Sequence, residues 1–203
     1  MKKETIRALS VTGIMSACGF ILMTLEFPLP FIIPSFIKFD FSELPALITS
    51  FAFGPLYGIL VCFVKNLLHM LFFFGSSMGV GELSNFLLGA VFVGVSGAVY
   101  KRNRTRKGAL IGSVSGAVLM AVISVFTNAF IVYPAYTVIY GMPMDAIIGM
   151  YKAILPSANT LIKALLIFNL PFTFFKGILD SAICFIIYKK LSPILKHKRE
   201  NNC

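Results

Sequence analysis

Apolar residues run along this chain in long blocks broken by short polar punctuation, without the alternation of a half-buried strand. A membrane-crossing helix needs ~20 mostly apolar residues. Residues 6–25 supply one block, closed by Glu26 and the cluster Pro28, Pro30 and Pro34. Residues 83–100 supply another, between Glu82 and a basic run; residues 108–132 follow, and residues 172–190 form the last, opened by Pro171. Between 43 and 75 the chain is apolar, but Gly54-Pro55 interrupts it, and then Lys65, Asn66 and His69. Proline is favoured in the first turn of a new helix, so the pattern predicts two helices here, 43–53 and 55–74. The first rises only ~15 Å at 1.5 Å per residue and needs neighbours to shield it in lipid. Residues 133–171 are expected as a long extracellular connection carrying Tyr133, Tyr136, Tyr140 and Tyr151, with helical pieces at 144–155 and 158–169.

Charge decides how often the region 43–75 crosses. Basic residues gather in three clusters: Lys2, Lys3 and Arg7; Lys101, Arg102, Arg104, Arg106 and Lys107; and Lys189, Lys190, Lys196, Lys198 and Arg199. Such clusters favour the cytoplasmic side. One crossing of 43–75 would put the middle cluster opposite the first, whereas two crossings put all three on one side. The expected fold class is therefore an all-α integral membrane protein: six transmembrane helices, N and C termini cytoplasmic, and one membrane domain spanning 1–203. The stretch 6–25 reads as the first of these helices, because it is long and lacks an A-x-A-like cleavage site before Glu26.

Composition fits this picture. The 203 residues are 58% hydrophobic and 13% charged, against ~25% charged in soluble chains, and the mean hydropathy is +0.88. A net charge of +10 raises the question of nucleic acid. Nucleic-acid binding wants a continuous basic face with exposed aromatics, whereas these charges are separated by apolar spans, so no nucleic-acid partner is expected. The four cysteines contain no CxxC pair, and neither a disulfide framework nor a metal site is indicated. No internal repeat is visible, which argues against inverted-repeat carriers.

Polar residues within membrane helices usually face a cavity or a partner. Here they concentrate towards one side: Asp40 and Glu43, Glu82 and Asn85, Asn128, Thr173 and Lys176. Together they predict an outward-facing pocket for a flat, polar-edged molecule, with Phe39, Phe41 and Phe86 nearby. Asp180 lies one turn from Lys176 and can pair with it; that role and a ligand role for Lys176 are both open. Lys65 needs an acidic partner among Glu43, Glu82 and Asp180. His69 reads more readily as a satisfied interior histidine than as a ligand. Gly79-Val80-Gly81 is either a plain turn or a place where backbone approaches a ligand. Catalysis is not indicated: GxSxG, HExxH and GxxxxGK[ST] are all missing. Any pumping must draw on a partner's energy, and small residues of the first helix, Thr12 with Ser16 or Gly13 with Ala17, offer faces where another helix can dock.

The order of several segments resembles the riboflavin-specific substrate-binding subunits of energy-coupling-factor (ECF) transporters. These segments are Leu25 to Pro30, Lys38 to Leu47, Lys65 to His69, Gly79 to Phe86, Lys107 to Gly112, and Pro171 to Gly177. The resemblance implies a six-helix vitamin binder, without enzymatic activity or a cofactor of its own, in a bacterial cell membrane. It also implies a transmembrane coupling subunit and two cytoplasmic ATPase subunits as partners. Riboflavin, or FMN if Lys176 is free of Asp180, would then be held by hydrogen bonds from Asp40, Asn128, Thr173 and Lys176 to the ring edge or ribityl chain. Asn85 would add a polar contact, and Phe39, Leu44 and the Gly79, Val80 and Gly81 backbone would pack on the ring. This chain departs from the family pattern at Thr173, where the pattern has Asn, and Gly13-xxx-Ala17 only approximates the family's Ala-xxx-Ala docking face. The alternatives are the same class of subunit for a different vitamin, a channel or ion-coupled carrier working alone, and an intramembrane enzyme using a pair among Lys65, His69, Glu82 and Asp180.

Overall fold

A computed structural model describes residues 3–196 of the chain; Lys2, His197, Lys198, Arg199 and Cys203 lie outside the described residues. Helix α1 (Lys3–Thr24) leads into a minimal hairpin, β1 (Phe27–Pro28) with β2 (Lys38–Phe39). The two strands pair antiparallel, with Phe27 opposite Phe39 and Pro28 opposite Lys38. Helices α2 (Glu43–Phe53), α3 (Pro55–Ser77), α4 (Val80–Arg102) and α5 (Arg106–Thr127) follow. A π-helical turn, Asn128–Val132, carries α5 directly into α6 (Tyr133–Ile139). After α7 (Met144–Ile154), the short α8 (Leu161–Ala164) passes through a second π turn, Leu165–Asn169, into α9 (Leu170–Lys196).

Among the described residues, five stretches are long and apolar enough to cross a membrane: Lys3–Thr24, Pro55–Gly75, Val80–Arg102, Arg106–Ile139 and Leu161–Ile187. Large apolar side chains stand exposed along their flanks, Ile14, Leu56, Leu71, Val118, Phe175 and Ile186 among them, as a bilayer requires of surface it must wet. The 11-residue α2 is shorter than these. Every residue from Glu43 to Phe51 is buried, so its neighbours provide the shielding that its length demands. Gly54 separates α2 from α3 at φ +111°, a conformation that favours glycine, and Pro55 opens α3. At Gly97 on α4 an added Cβ would lie inside contact distance of Ser50 Oγ and 3.2 Å from Pro55 Cα, so its hydrogen side chain lets α4 cross this corner.

The expected long connection at 133–171 is corrected. The helical pieces expected at 144–155 and 158–169 are present as α7 and as α8 with the second π turn, but the preceding span runs on to Ile139 and the last span begins at Leu161 instead of 172. Pro134 and Pro171 caused the misreading, because proline inside a helix removes a backbone donor and crowds the preceding turn. Each follows a π turn by one or two residues. The wider turn resets the hydrogen-bond ladder, and the helix passes through its proline.

Two apolar clusters organise the interior. One joins α2, α3, α4, α5 and α9 through Leu47, Val61, Phe92, Ala117, Met120 and Cys184. The other joins Ile33 of the hairpin loop to α6, α7 and the second π turn through Tyr133, Ile147, Tyr151 and Leu165. Met120 of the first cluster, with Val132 and Tyr133 of the second, lines a cavity where the two meet.

Candidate ligand-binding cavity

The cavity holds about 350 Å³, within the ~300–1,000 Å³ usual for small-molecule sites. The two π turns sit on its wall: Asn128 and Val132 belong to the first, and Asn169 closes the second. Such turns recur at functional sites, because the extra residue per turn rotates the following side chains onto a new face. Here it brings Tyr133, Phe172, Thr173 and Lys176 to the same space.

The floor is an ion network. Lys176 Nζ reaches Asp40 Oδ2 at 2.8 Å and Glu43 Oε2 at 3.4 Å. Glu43 Oε1 accepts from Lys65 Nζ at 2.9 Å. The Lys65 side chain is fully buried and also donates to Ser42 Oγ and, at 3.4 Å, to Asn85 Oδ1. Asp40 Oδ1 accepts from the Ser42 amide at 2.8 Å. Burial alone would push the Asp40 carboxyl up, but the Lys176 ammonium, with Lys65 behind it, holds it well below the usual carboxylate range. Gly89 lets α4 approach: an added Cβ would lie 2.8 Å from Glu43 Oε1 and 3.2 Å from Cys62 Sγ.

This arrangement corrects the expected Lys176–Asp180 pair. Lys176 turns to the two acids near the start of α2, while both Asp180 carboxylate oxygens are buried without a hydrogen-bond partner among the described residues. The condition attached to FMN, a Lys176 free of Asp180, is met, but Lys176 is engaged by Asp40 and Glu43 instead. Lys65, left open among three acids, has Glu43; Glu82 instead bonds His69 Nδ1 at 2.8 Å.

Among the expected site residues, Asp40, Gly81, Asn85, Asn128, Thr173 and Lys176 line the cavity together. Phe39, Leu44, Gly79 and Val80 stand behind its wall. Leu44 packs in the first apolar cluster and Val80 in the second. Met78 and Gly79 form a left-handed turn between α3 and α4, and a Cβ on Gly79 would meet Met70 Sδ at 3.3 Å. Phe39 packs edge-on against Phe172 at 5.9 Å and so acts on the wall through that ring. Phe86 packs against Phe63 and the first cluster, also away from the cavity. On α1, Thr12 and Ser16 are buried, their hydroxyls donating to Ala8 and Thr12 carbonyls, whereas Gly13 and Ala17 are exposed. The first pair therefore belongs to internal packing, and only the second presents an outer face.

Sequence reasoning missed Tyr133, Tyr136 and Tyr140, all on the cavity wall. Their i, i+3, i+7 spacing was the available signal, hidden by reading the segment as a loop. It also missed a closed ring of hydrogen bonds. Tyr151 Oη donates to Asn169 Oδ1 at 2.6 Å, Asn169 Nδ2 donates to Tyr133 Oη at 3.1 Å, and the two tyrosine hydroxyls meet. Burial pushes the Tyr151 phenol far above its ordinary value, so it keeps its proton as a donor. This ring fastens α7 to the cavity wall.

Apolar helices enclosing a cavity of this size, edged with paired charges and amides, define a membrane protein built to hold a small molecule. The chain belongs to the family of ECF transporter substrate-specific components, which it matches over residues 7–188. It is 33% identical to the riboflavin transporter RibU of Staphylococcus aureus (strain TCH60), over 94% of this chain and 93% of that one. It is 32% identical to the riboflavin transporter FmnP of Bacillus subtilis (strain 168), over 96% of each. Its fold is similar to a solved S component of a bacterial ECF transporter, with a TM-score of 0.73, 31% identity, and coverage of 95% of this chain and 99% of that one. The family is one of transporter subunits, not enzymes.

Proposed function

We propose that this chain is the riboflavin-binding subunit of an ECF importer, capturing the vitamin outside a bacterial cell and delivering it through an ATPase-driven coupling module. The cavity carries this reading: its size and its mixture of aromatic walls with Asn128, Thr173 and Lys176 suit a tricyclic ring with a polar edge, and the relatives at about one-third identity bear the name riboflavin transporter. Asp40, Asn128, Thr173 and Lys176 would hydrogen-bond the ligand, with Asn85 and the Gly81 backbone beside it. Phe39 and Leu44 would brace the wall from behind.

The same reading makes the chain a single multi-pass domain with six crossings, α2 completing its crossing inside the sheath of its neighbours. Both termini would be cytoplasmic and the cavity outward. In support, α4 begins at the cavity with Gly81 to Asn85 and ends in Lys101 and Arg102, so cavity and basic loop lie at opposite ends of one helix. Gly13 and Ala17 on exposed α1 surface would meet the transmembrane coupling subunit, which in turn engages two cytoplasmic ATPases.

The test is a titration of the purified, detergent-solubilised chain with riboflavin, followed by quenching of flavin fluorescence. Saturable quenching at nanomolar ligand is expected. A colourless protein with no quenching at micromolar riboflavin refutes the vitamin assignment, and competition with a vitamin panel then identifies the true ligand.

A further inference from the structure

The junction of α4 and α5 carries Lys101, Arg102, Arg104, Arg106 and Lys107, all exposed, and no acidic residue occurs in the chain between Glu82 and Asp145. Among the described residues, none of these cations forms an ion pair with a carboxylate. The turn that bears them is held in place. Thr105 Oγ1 donates to Asn103 Oδ1 and accepts from the Gly108 amide, both at 3.0 Å. Asn103 also lies so close over Gly108 that an added Cβ there would run into its carbonyl oxygen. The charges are therefore gathered on a fixed frame.

Helix stability accounts for only part of this cluster. Lys101 and Arg102 sit in the last turn of α4, where the helix dipole favours cations, but Arg106 and Lys107 open α5, where it opposes them. Next to that pair the surface turns apolar. Arg106, Lys107, Leu110 and Ile111 line one shallow groove, with each cation one turn from an apolar partner. Exposed Val114, Val118 and Val122 continue the track along α5. Helix α5 packs on α4 and α9, whereas α1 packs on α2 and α3, so this track is separate from the Gly13 and Ala17 face.

Cations at the head of an exposed apolar track match a molecule with an anionic head and a hydrocarbon tail. An acidic protein surface would meet the charges but leave the track uncovered. From this complementarity we propose that the start of α5 is a binding site for an anionic phospholipid. The headgroup phosphate lies against Arg106 and Lys107, and an acyl chain follows Leu110, Ile111, Val114 and Val118. A zwitterionic headgroup fits less well, because it brings its own ammonium into the basic cluster. The site does not depend on which vitamin the cavity holds.

The test lets phosphatidylglycerol and phosphatidylcholine of identical acyl chains compete for the detergent-solubilised full chain, with bound lipid counted by native mass spectrometry. Wild type should prefer phosphatidylglycerol by about 10- to 30-fold, the worth of two cations near a charged headgroup, and the preference should shrink as salt rises. Replacing the pair, Arg106→Gln with Lys107→Gln, should reduce it to about threefold or less, whereas Lys101→Gln with Arg102→Gln should keep most of it. Equal retention of the two lipids by wild type overturns the site and leaves the cluster to an acidic protein partner. Equal losses from the two double variants also overturn it, since the charge then acts as a diffuse field. Displacement of phosphatidylglycerol by millimolar inorganic phosphate overturns it as well, because the site then takes a free anion. The wild-type comparison and the phosphate arm need no variant to fold.

Discussion

Replacing Lys65 with methionine removes one charge from the interior and keeps the side chain's length. The ammonium has no solvent exposure and lies 2.9 Å from Glu43 Oε1. At an effective dielectric of ~20, the gross attraction across that distance is about 6 kcal/mol. Both ions have already lost their water, so removing one partner typically costs about 3–5 kcal/mol, because the other charge stays buried. Glu43 keeps Lys176 at 3.4 Å, which favours the lower part of that range. For a chain of this size each kcal/mol moves the melting temperature by ~2–4 °C, so Lys65→Met should melt lower by roughly 6–20 °C. Glu43→Gln should fall in the same range, because it strands Lys65. The double variant, with a neutral pair in a neutral interior, should lose much less than the sum. The assay is thermal unfolding of the detergent-solubilised protein for all four members of the cycle. A Lys65→Met variant melting within about 2 °C of wild type, or single losses that simply add, would refute the ion-pair account.

Other perturbations follow from the same geometry. Gly97→Ala pushes a methyl group towards Ser50 and Pro55 Cα and should cost about 1–3 kcal/mol in unfolding experiments. Gly13→Ala, with nothing within 4 Å of the new methyl, should stabilise α1 by about 0.5–1 kcal/mol. Lys176→Gln should weaken riboflavin binding about 10- to 100-fold in the same quenching titration, because it removes a charged donor from the cavity. Tyr151→Phe opens the three-membered hydrogen-bond ring and should lower stability by about 1–3 kcal/mol, visible as a lower melting temperature.

How much of this was legible depended on punctuation. Helix α2 was read with both its bounds, because Glu43 opens it and Gly54-Pro55 closes it in a form no other residues mimic. The polar cavity residues Asp40, Asn85, Asn128, Thr173 and Lys176 could be chosen because a polar side chain in an apolar run needs a reason to be there. The ion partners could not. Lys176 lies four residues from Asp180 but bonds Asp40, 136 residues away in sequence, and local spacing gives no hint of a contact made by folding. The last span's start was lost at Pro171, since a proline reads as a boundary and nothing local announces that a π turn will carry the helix through it. Leu44 and the Val80 backbone were assigned to the ligand through the family resemblance, whereas their side chains pack in the two apolar clusters, since successive residues on a helix point to different faces.

The floor of the cavity contains two carboxylates, Asp40 and Glu43, that face two ammoniums, Lys176 at the cavity and Lys65 buried behind it. This quartet is electrically neutral before anything binds. An uncharged vitamin settling on it needs no accompanying counter-ion, and its capture moves no net charge through the membrane's electric field. The ~2.3 kcal/mol that each elementary charge would gain or lose per 100 mV therefore does not enter the binding step. Affinity should be the same in an energised and a depolarised membrane.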